Sequence, residues 1–254
     1  MLLLNAPFYG SERLMVRTAG VLKDAGADVL VATCDWEFGG IRRELARRGV
    51  GHVDIVMRGM FTRRGGPVRV LRLNAEALRT AARVRRAAAA FRPTHIVVPD
   101  ESNALYALPL LATRGRAQAI FVPANVPDEA LARRSAAYRF FLQAIGRLVD
   151  TAIANSRFTA AALRRWLPTH LPVTTVPCCL PARETPEVDA ALESIDPTRF
   201  NIVYVGQLAS HKGVDLLVDA ALEITNHHPH VDVVLAGPGD ERSPEEQQWR
   251  SRIA

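Results

Sequence analysis

Cysteine is scarce in this 254-residue chain, and the three that occur, Cys34, Cys178 and Cys179, form no C-x-x-C pair. An odd number without paired spacing argues against a disulfide framework and favours a reducing compartment. Three thiols are also too few for the usual zinc sites, and no histidine stands at metal-ligand spacing. The sequence therefore predicts no metal site.

Long apolar runs are absent as well. The apolar opening, MLLLN, is too short for a signal peptide, and no run approaches the ~20 residues that cross a bilayer. The sequence therefore predicts a cytoplasmic protein, and attachment to the inner face of a membrane stays open.

Lysine is almost missing, because Lys23 and Lys212 are the only two and arginine fills the other 30 basic positions. The charge is uneven: residues 1–197 carry 27 basic and 18 acidic residues, a net +9, whereas residues 198–254 carry 5 and 8, a net −3. This asymmetry indicates two units with different partners. A basic surface attracts nucleic acid, anionic lipid or phosphorylated small molecules, and a plain solvated arginine surface is the alternative.

Aromatic residues make up only 6% of the chain, and none accompanies the basic helix face of Arg79, Arg83 and Arg86. Proteins that bind single-stranded nucleic acid stack its bases on aromatic side chains, and the chain has no recognisable nucleic-acid motif. We therefore expect no nucleic-acid partner. The same face could contact anionic lipid.

Short apolar runs alternate with amphipathic stretches along most of the chain. Runs such as His95–Pro99 and Ala119–Pro123 are strand-like, whereas Ser11–Ala25 and Asp128–Leu148 have the pattern of helices. The alternation predicts parallel βαβ units, and the fully apolar strands indicate a sheet covered on both faces. Residues 1–180 are therefore predicted to form one doubly wound, Rossmann-like α/β domain.

A second unit is predicted after a linker. Residues 181–198 contain three prolines and five acidic residues, which is typical of a linker. The pattern then resumes with a strand over 200–205, a helix over 214–226 and a strand over 231–236. Residues 199–254 are predicted to be the start of a second α/β domain. Because the chain stops inside that domain, we interpret the sequence as a fragment.

The turn after Val205 contains the second lysine. In open α/β sheets, ligands bind at the carboxyl ends of strands, where helix N-termini offer free N–H groups. Gly206 follows the strand directly, and Lys212 precedes the next helix. A P-loop is excluded because His211 stands where its second glycine belongs and Gly213 replaces the Mg²⁺-binding Ser or Thr. The turn predicts an anion site, and a solvated lysine at a helix start is the alternative.

The stretch VGQLASHKGVDLLVDAALEITNHHPHVDVVLAGPGDE resembles the start of the nucleotide-binding domain of glycosyltransferase family 4. Members share G-[RQ]-L-x-x-x-K-G, then an aliphatic helix, a proline, a strand and a G-x-G turn. The matching residues here are Gly206, Gln207, Leu208, Lys212, Gly213, Pro229, Gly237 and Gly239. YGSERLMVRTAGVLKDAGADVLVAT and ANSRFTAAAL resemble the family's first domain. The resemblance implies the GT-B fold, with a complete first Rossmann-like domain, an incomplete second one and a cleft between them.

This resemblance implies a nucleoside-diphosphate sugar as donor and no cofactor. Its diphosphate would bind Gly206, Gln207 and Lys212, and Gly10, in the loop after the first strand, would face it from the other domain. The family often has arginine at the position of Gln207, so Lys212 would supply the cation alone. The pair of glutamates that members carry further along the second domain lies beyond this chain.

Polar residues follow the strand HIVVP in the stretch PDESN. A carboxylate in the implied cleft could orient acceptor hydroxyls or accept a proton, so Asp100 and Glu101 are candidate catalytic residues. Capping of the next helix is the alternative for Asp100, where the family often has histidine. Asn103 and Asn125 are candidate acceptor-binding residues.

The activity implied by the resemblance is that of a retaining glycosyltransferase that moves a sugar to an acceptor hydroxyl, on a saccharide or a lipid-linked molecule. Catalysis would depend on stabilising the negative charge of the leaving diphosphate. A fragment that lacks most of the second domain is expected to be inactive. The alternatives are a nucleotide-sugar epimerase of the same fold, which would use no acceptor, and a non-catalytic binding fragment.

Overall fold

The computed structural model describes residues 2–4, 10–33, 40–55, 67–178, 195–237 and 244–253. Residue contacts group the chain into two compact units, Met1–Cys179 and Leu180–Ala254. The linker predicted for 181–198 lies outside the described residues except for its last four. There the carboxylate of Asp196 accepts hydrogen bonds from the backbone N–H of Thr198 at 2.9 Å and from its hydroxyl at 2.6 Å. This turn leads into the first strand of the second unit.

In its described residues, the first unit alternates seven strands with seven helices. The strands are β1 (Leu2–Leu4), β2 (Leu30–Thr33), β3 (Gly51–Asp54), β4 (His95–Val98), β5 (Gln118–Phe121), β6 (Thr151–Ala154) and β7 (Val173–Thr175). The helices are α1 (Gly10–Asp24), α2 (Gly40–Arg47), α3 (Pro67–Phe91), α4 (Glu101–Ala112), α5 (Glu129–Arg134), α6 (Ala136–Leu148) and α7 (Arg157–Trp166). All strand pairs are parallel, in the order β3-β2-β1-β4-β5-β6-β7. The predicted doubly wound α/β domain is confirmed.

Hydrophobic side chains pack on both faces of this sheet, as the fully apolar strands predicted. Because side chains alternate along a strand, Ile96 and Val98 of β4 join one buried cluster, whereas Val97 packs against another. The first cluster includes Phe121, Leu142 and Leu163, and the second includes residues of α1 and α2. Each large apolar side chain buried in this way contributes ~1.5–3 kcal/mol.

Ser135 divides the helix that the sequence predicts over Asp128–Leu148. Its backbone N–H donates to the Leu131 carbonyl and closes α5, while its hydroxyl accepts a hydrogen bond from the Tyr138 N–H at 3.2 Å and caps α6. The prediction of one continuous helix is therefore wrong. A serine cap stabilises a helix start by ~1 kcal/mol relative to alanine. The break places Tyr138 in the first turn of a new helix.

The second unit contains, in its described residues, the parallel strands β8 (Phe200–Val205) and β9 (Val231–Ala236) and the helices α8 (Val214–His227) and α9 (Pro244–Ile253). A short 3-10 turn, Ser210–Lys212, precedes α8. Val214 and Val218 of α8 pack with Trp249 of α9 and with partly buried side chains of both strands. This small core holds the turn between β8 and α8 in place.

Candidate functional site

The first sheet has a topological switch point between β1 and β4. Strand β1 pairs with β2 on one side and with β4 on the other. The chain continues from β1 to β2 but from β4 to β5, so the two connections diverge and open a crevice at the carboxyl ends of β1 and β4. Gly10 begins the helix after β1, and Asp100 and Glu101 follow β4. The structure therefore brings three of the predicted site residues to one edge of the sheet.

The start of α1 carries a buried carboxyl group beside the predicted phosphate-binding glycine. Gly10 is exposed, with open space where a Cβ would stand, and the loop residues 5–9 lie outside the described residues. Ser11 lies inside the helix and its hydroxyl donates to Glu12 Oε2 at 2.8 Å, so it does not cap α1. Glu12, which the sequence reasoning missed, is only 6% exposed. A carboxylate there competes with a phosphate for the positive end of the helix, so the diphosphate role of Gly10 stays a prediction.

Asp100 caps α4 through Asn103. Its Oδ1 accepts from the backbone N–H of Asn103 and its Oδ2 from the Asn103 side-chain amide, both at 2.7 Å. Asn103 is 1% exposed, and its buried Oδ1 has no hydrogen-bond partner among the residues that the structure describes. Asp100 is thus a capping residue by observation, and its catalytic role stays a prediction.

Glu101 is held by a residue that the sequence reasoning missed. The hydroxyl of Tyr138 donates to Glu101 Oε2 at 2.5 Å and accepts a hydrogen bond from the Asp128 backbone N–H at 3.2 Å. Tyr138 also packs its ring against Phe141, with the centroids 6.5 Å apart. The Glu101 carboxylate is therefore fixed by a phenol that is itself held by hydrogen bonding and packing.

The protonation of this pair is shifted by its surroundings. Burial raises the pKa of Glu101, and the nearby carboxylates of Asp100 and Asp128 raise it further. The hydrogen bond from Tyr138 opposes this increase in pKa because it favours the ionised carboxylate. Burial also raises the pKa of Tyr138, as does the bonded carboxylate, so the phenol keeps its proton. A carboxyl group with a raised pKa is suited to exchange a proton with a bound hydroxyl.

The connections after β5 and β6 are tied together by Asn155, another residue that the sequence reasoning missed. Its side-chain amide donates to the Ala124 carbonyl at 3.2 Å, and its Oδ1 accepts from the Thr159 hydroxyl at 2.7 Å. Asn125, the predicted acceptor-binding residue, is exposed beside this link. Ser156 caps α7 by accepting from the Thr159 N–H at 3.1 Å. The only local signal for Asn155 in the sequence is that it directly precedes Ser156, the residue that caps α7.

The turn after β8 is built around Tyr204. Its hydroxyl donates to the Gln207 carbonyl at 3.0 Å, and a Cβ on Gly206 would stand 2.8 Å from the same hydroxyl oxygen. Gly206 in turn donates its N–H to the Ala236 carbonyl of β9 at 3.0 Å. The backbone at Gly206 and Gln207 is thus fixed from two sides, and a side chain at position 206 would not fit without a shift of Tyr204.

Helix α8 begins without a side-chain cap. Its N-cap is Gly213, in the left-handed conformation with φ 73°, which a residue with a Cβ adopts only with strain. The N–H groups of the first turn have no acceptor within the helix and carry its positive dipole end. Lys212 is exposed, and none of the ion pairs described within 195–237 and 244–253 involves it. The arrangement offers a cation and free N–H donors to an anion, although Asp215 in the first turn lowers the local positive potential.

The second strand of this unit approaches the same turn. A Cβ on Gly237 would stand 1.7 Å from the Gly206 carbonyl oxygen, so only glycine fits there. Gly239, the second glycine of the predicted G-x-G turn, lies outside the described residues. Gly206 and Gly237, two of the glycines in the resemblance, therefore stand where a side chain would collide with the neighbouring structure. Both lie where the ends of β8 and β9 come close together.

Neither a metal-binding group nor a membrane-spanning helix occurs in the described ranges. No three His, Cys, Asp or Glu side chains there are placed to share a metal ion. None of the helices in the same ranges is both long and apolar enough to cross a bilayer.

Comparison with solved structures shows a similar fold over 99% of this chain in each of three cases. Anabaena HepE in complex with UDP and glucose is 14% identical, with a TM-score of 0.60. Sucrose-phosphate synthase from Thermosynechococcus elongatus is 17% identical with a TM-score of 0.65, and a Listeria monocytogenes protein described as a UDP-N-acetylglucosamine 2-epimerase is 10% identical with a TM-score of 0.64. The chain spans 64%, 66% and 65% of these structures, respectively. At these identities the similarity shows the fold alone.

Comparison at the sequence level gives the family. No curated protein matches the chain. The sequence profile of Glycosyltransferase Family 4 matches residues 8–183, which is more than half of the chain. The parallel α/β architecture and the solved neighbours confirm the predicted GT-B fold, and the profile match shows that the chain belongs to glycosyltransferase family 4.

Proposed function

We propose that the protein is a retaining glycosyltransferase that moves a sugar from a nucleoside-diphosphate sugar to an acceptor hydroxyl. The observation that carries this proposal is the turn between β8 and α8, where the exposed Lys212 stands beside an uncapped helix N-terminus. A diphosphate is the kind of anion that such a turn favours. The HepE structure, which has the same fold, contains UDP and glucose, and this supports a nucleotide donor.

The second unit would stabilise the leaving group. As the bond between the sugar's anomeric carbon and the diphosphate oxygen breaks, negative charge grows on the diphosphate. Lys212 would meet that charge with a full cation and Gln207 with an amide N–H, and α8 would add about half a charge at its N-terminus. Because Tyr204 holds the Gln207 carbonyl, the donor groups need little rearrangement during the reaction.

The first unit would bind the acceptor. As the acceptor oxygen bonds to the anomeric carbon, it loses a proton, and Glu101 is proposed to accept that proton. Asp100 and Asn103 would act by holding the start of α4, because both carboxylate oxygens of Asp100 are bonded to Asn103. Asn125 is exposed and could bind an acceptor hydroxyl directly.

Replacement of the two lysines tests the donor site. Lys212→Ala should weaken binding of a nucleoside diphosphate about ten-fold or more, because a charge-assisted hydrogen bond contributes ~1.5–3 kcal/mol. Lys23→Ala is the matched control, since the Lys23 ammonium donates to the Gly49 carbonyl in the first unit. Isothermal titration with a panel of nucleoside diphosphates measures both. If Lys212→Ala binds the nucleoside diphosphate as tightly as Lys23→Ala does, Lys212 has no part in donor binding.

Stereochemistry and acceptor dependence test the reaction itself. Proton NMR of the product should show the donor's anomeric configuration, as the family resemblance implies. Free nucleotide should accumulate only when an acceptor is present. An inverted product contradicts retention, whereas nucleotide release together with sugar isomerisation in the absence of any acceptor favours the second candidate.

That second candidate is a nucleotide-sugar epimerase. It is favoured by the fold similarity to the Listeria protein described as a UDP-N-acetylglucosamine 2-epimerase. An epimerase would use the same diphosphate turn but would need no acceptor-binding residue, so Asn125→Ala would leave its rate unchanged. A third outcome, donor binding without any turnover, would identify a non-catalytic binding protein.

We further propose that the protein is cytoplasmic and binds the inner face of a membrane. Its acceptor would then be linked to a lipid. Arg79, Arg83 and Arg86 are exposed on α3 at positions that share one helix face. Such a face attracts anionic lipid by roughly 1 kcal/mol for each basic residue near the surface. Flotation with vesicles that contain phosphatidylserine should recover the protein at low salt, and recovery should fall when all three arginines are replaced by glutamine. A saccharide acceptor in solution is the alternative if flotation fails.

A further inference from the structure

A pocket of about 490 Å³ opens at the edge of the first sheet opposite Asp100 and Glu101. It lies at the amino ends of β4 and β5, between the end of α3, the end of α4 and the connection 113–117. Four arginines line it: Arg85, Arg92, Arg114 and Arg116. The pocket is therefore a concentration of positive charge at a place that the proposed transfer reaction does not use.

One of these arginines is fixed and forms a wall. Arg114 donates through Nε to the Ala117 carbonyl at 2.8 Å and pairs with Asp150 at 2.7 Å, and it also donates to the Leu148 carbonyl. Asp150 is held in turn, because its other carboxylate oxygen accepts from the Ala119 N–H at 2.7 Å. The wall formed by Arg114 is thus held by hydrogen bonds within the protein, whether or not a ligand is bound.

The other three arginines have no acidic partner among the residues that the structure describes. Arg85, Arg92 and Arg116 are exposed, and none of the ion pairs formed among the described residues involves them. A guanidinium presents a planar fork of N–H donors that matches phosphate or carboxylate oxygens. These three guanidinium groups therefore give the pocket a positive charge that no acidic residue among the described ones neutralises.

The conformation of Arg92 gives a second and independent indication. Arg92 follows α3 with φ 50°, the left-handed region, and its N–H closes the helix by donating to the Ala88 carbonyl at 2.7 Å. Glycine or asparagine usually occupies this position after a helix, because a Cβ is strained there. Arginine at this position is strained where glycine would not be, and residues with a strained backbone cluster at ligand sites.

The remaining lining restricts the kind of anion. Ala89, Pro93 and Ala117 are partly or fully exposed at the wall, and Ile96 and Leu110 lie behind them. The hydroxyl groups of Thr94 and Thr113 are already bonded, to His95 and to the Pro109 carbonyl. We propose that this pocket binds a phosphate monoester with a small apolar substituent, its phosphate held by Arg85, Arg92 and Arg116 and its apolar group against Pro93.

Isothermal titration with hexyl phosphate tests the site. Arg92→Gly is the sharpest variant because glycine relieves the left-handed strain, so the fold should be kept or stabilised while the guanidinium is lost. Arg92→Gly and Arg116→Gln should each weaken binding about ten-fold. Arg17→Gln, at an exposed position on α1 outside the pocket, should leave the affinity unchanged. Unaltered affinity in Arg92→Gly and Arg116→Gln, or no binding by the unmodified protein, overturns the proposal.

Two further ligands identify the source of the phosphate. Inorganic phosphate should bind more weakly than hexyl phosphate if Pro93 and its neighbours contact the substituent, and equal affinity would contradict the apolar part of the proposal. In a variant with Arg79, Arg83 and Arg86 replaced by glutamine, flotation with phosphatidic acid vesicles that is lost on adding Arg92→Gly would identify a lipid headgroup as the ligand. Binding of hexyl phosphate without such flotation would identify a soluble phosphate monoester.

Discussion

The Tyr138 hydroxyl on α6 donates a hydrogen bond to Glu101 on the neighbouring helix α4, with 2.5 Å between the phenol oxygen and Oε2. The same oxygen accepts from the Asp128 N–H, so its position does not depend on Glu101 alone. Glu101 begins α4, three residues after the end of β4 at the switch point of the sheet. The carboxyl group proposed to accept the acceptor's proton is therefore held by an inflexible donor, which acts as a positioning residue.

Tyr138→Phe should change the pH dependence of the reaction. The hydrogen bond from Tyr138 lowers the pKa of Glu101, so its removal should raise that pKa further above the usual value. If Glu101 must be ionised to accept a proton, the acidic limb of the kcat/KM profile should move to higher pH. Phenylalanine keeps the contact with Phe141 but removes the hydrogen bond to the ionised carboxylate, so the thermal unfolding temperature should fall more at neutral pH than at pH 4. A profile that superimposes on that of the unmodified protein would exclude this positioning role.

Glu101→Gln should stabilise the protein at neutral pH. The folded-state pKa of Glu101 is raised above its unfolded value of about 4.5, so ionisation of the carboxyl group favours the unfolded state. Its contribution to stability is therefore complete below pH ~4.5 and is lost as the pH rises through the folded pKa. Glutamine carries no charge and can still accept from Tyr138. The gain in unfolding temperature should be largest at pH 7 and above and should disappear toward pH 4, and a gain that does not vary with pH would contradict the assignment.

Asp100→Ser separates capping from catalysis. Serine caps a helix about as well as aspartate but leaves the buried side-chain amide of Asn103 without its acceptor, so Asp100→Ser should lose ~1–3 kcal/mol of unfolding free energy and Asp100→Ala about 1 kcal/mol more. If the carboxylate itself orients the acceptor, Asp100→Ser should raise the KM for the acceptor without changing donor affinity. If Asp100 only supports the start of α4, the serine variant should keep its acceptor KM despite its lower stability. Urea denaturation and acceptor kinetics on both variants decide between these roles.

The fold could be predicted from the sequence wherever a local pattern carried the information. The bounds of β8 and β9 agree with the predicted strands, because each ends in a run of four apolar residues that stops at a glycine. The division at Ser135 could not be predicted, since a serine cap inside an amphipathic stretch does not interrupt the hydrophobic period. Only the packing of α6 decides that Ser135 adopts an extended backbone and restarts the helix.

The part of the candidate site that depends on the order of the strands could be predicted from the sequence. Residues that follow parallel strands meet at one edge, so the placing of Asp100 and Glu101 beside the start of α1 follows from the order of the strands. The partner of Glu101 could not be inferred, because Tyr138 is 37 residues away and meets it through the packing of two helices. The carboxyl group of Glu12 was missed for a different reason, since its burial depends on the surrounding packing and leaves no pattern in the sequence.

Gly237→Ala should weaken both the second unit and its anion site. The added Cβ would stand 1.7 Å from the Gly206 carbonyl oxygen, and backbone cannot move aside as the end of a flexible side chain can. Relief requires the ends of β8 and β9 to separate, which breaks the hydrogen bond from the Gly206 N–H to the Ala236 carbonyl. Overpacking of this kind costs about 2–3 kcal/mol, measurable by chemical denaturation. Nucleoside diphosphate affinity should fall as well, because Gly206 begins the proposed diphosphate turn.

Gly213→Ala is the matched control for that effect, because it has a conformational cost and no steric one. A Cβ on Gly213 would meet nothing within 4 Å, but φ 73° is strained for alanine by about 1–2 kcal/mol. We therefore expect a smaller loss of stability than in Gly237→Ala. The two strand ends should stay paired in Gly213→Ala, so amide exchange at Gly206 should remain slow there and become fast in Gly237→Ala. Slow exchange at Gly206 in both variants would mean that the close approach of Gly237 does not fix the turn.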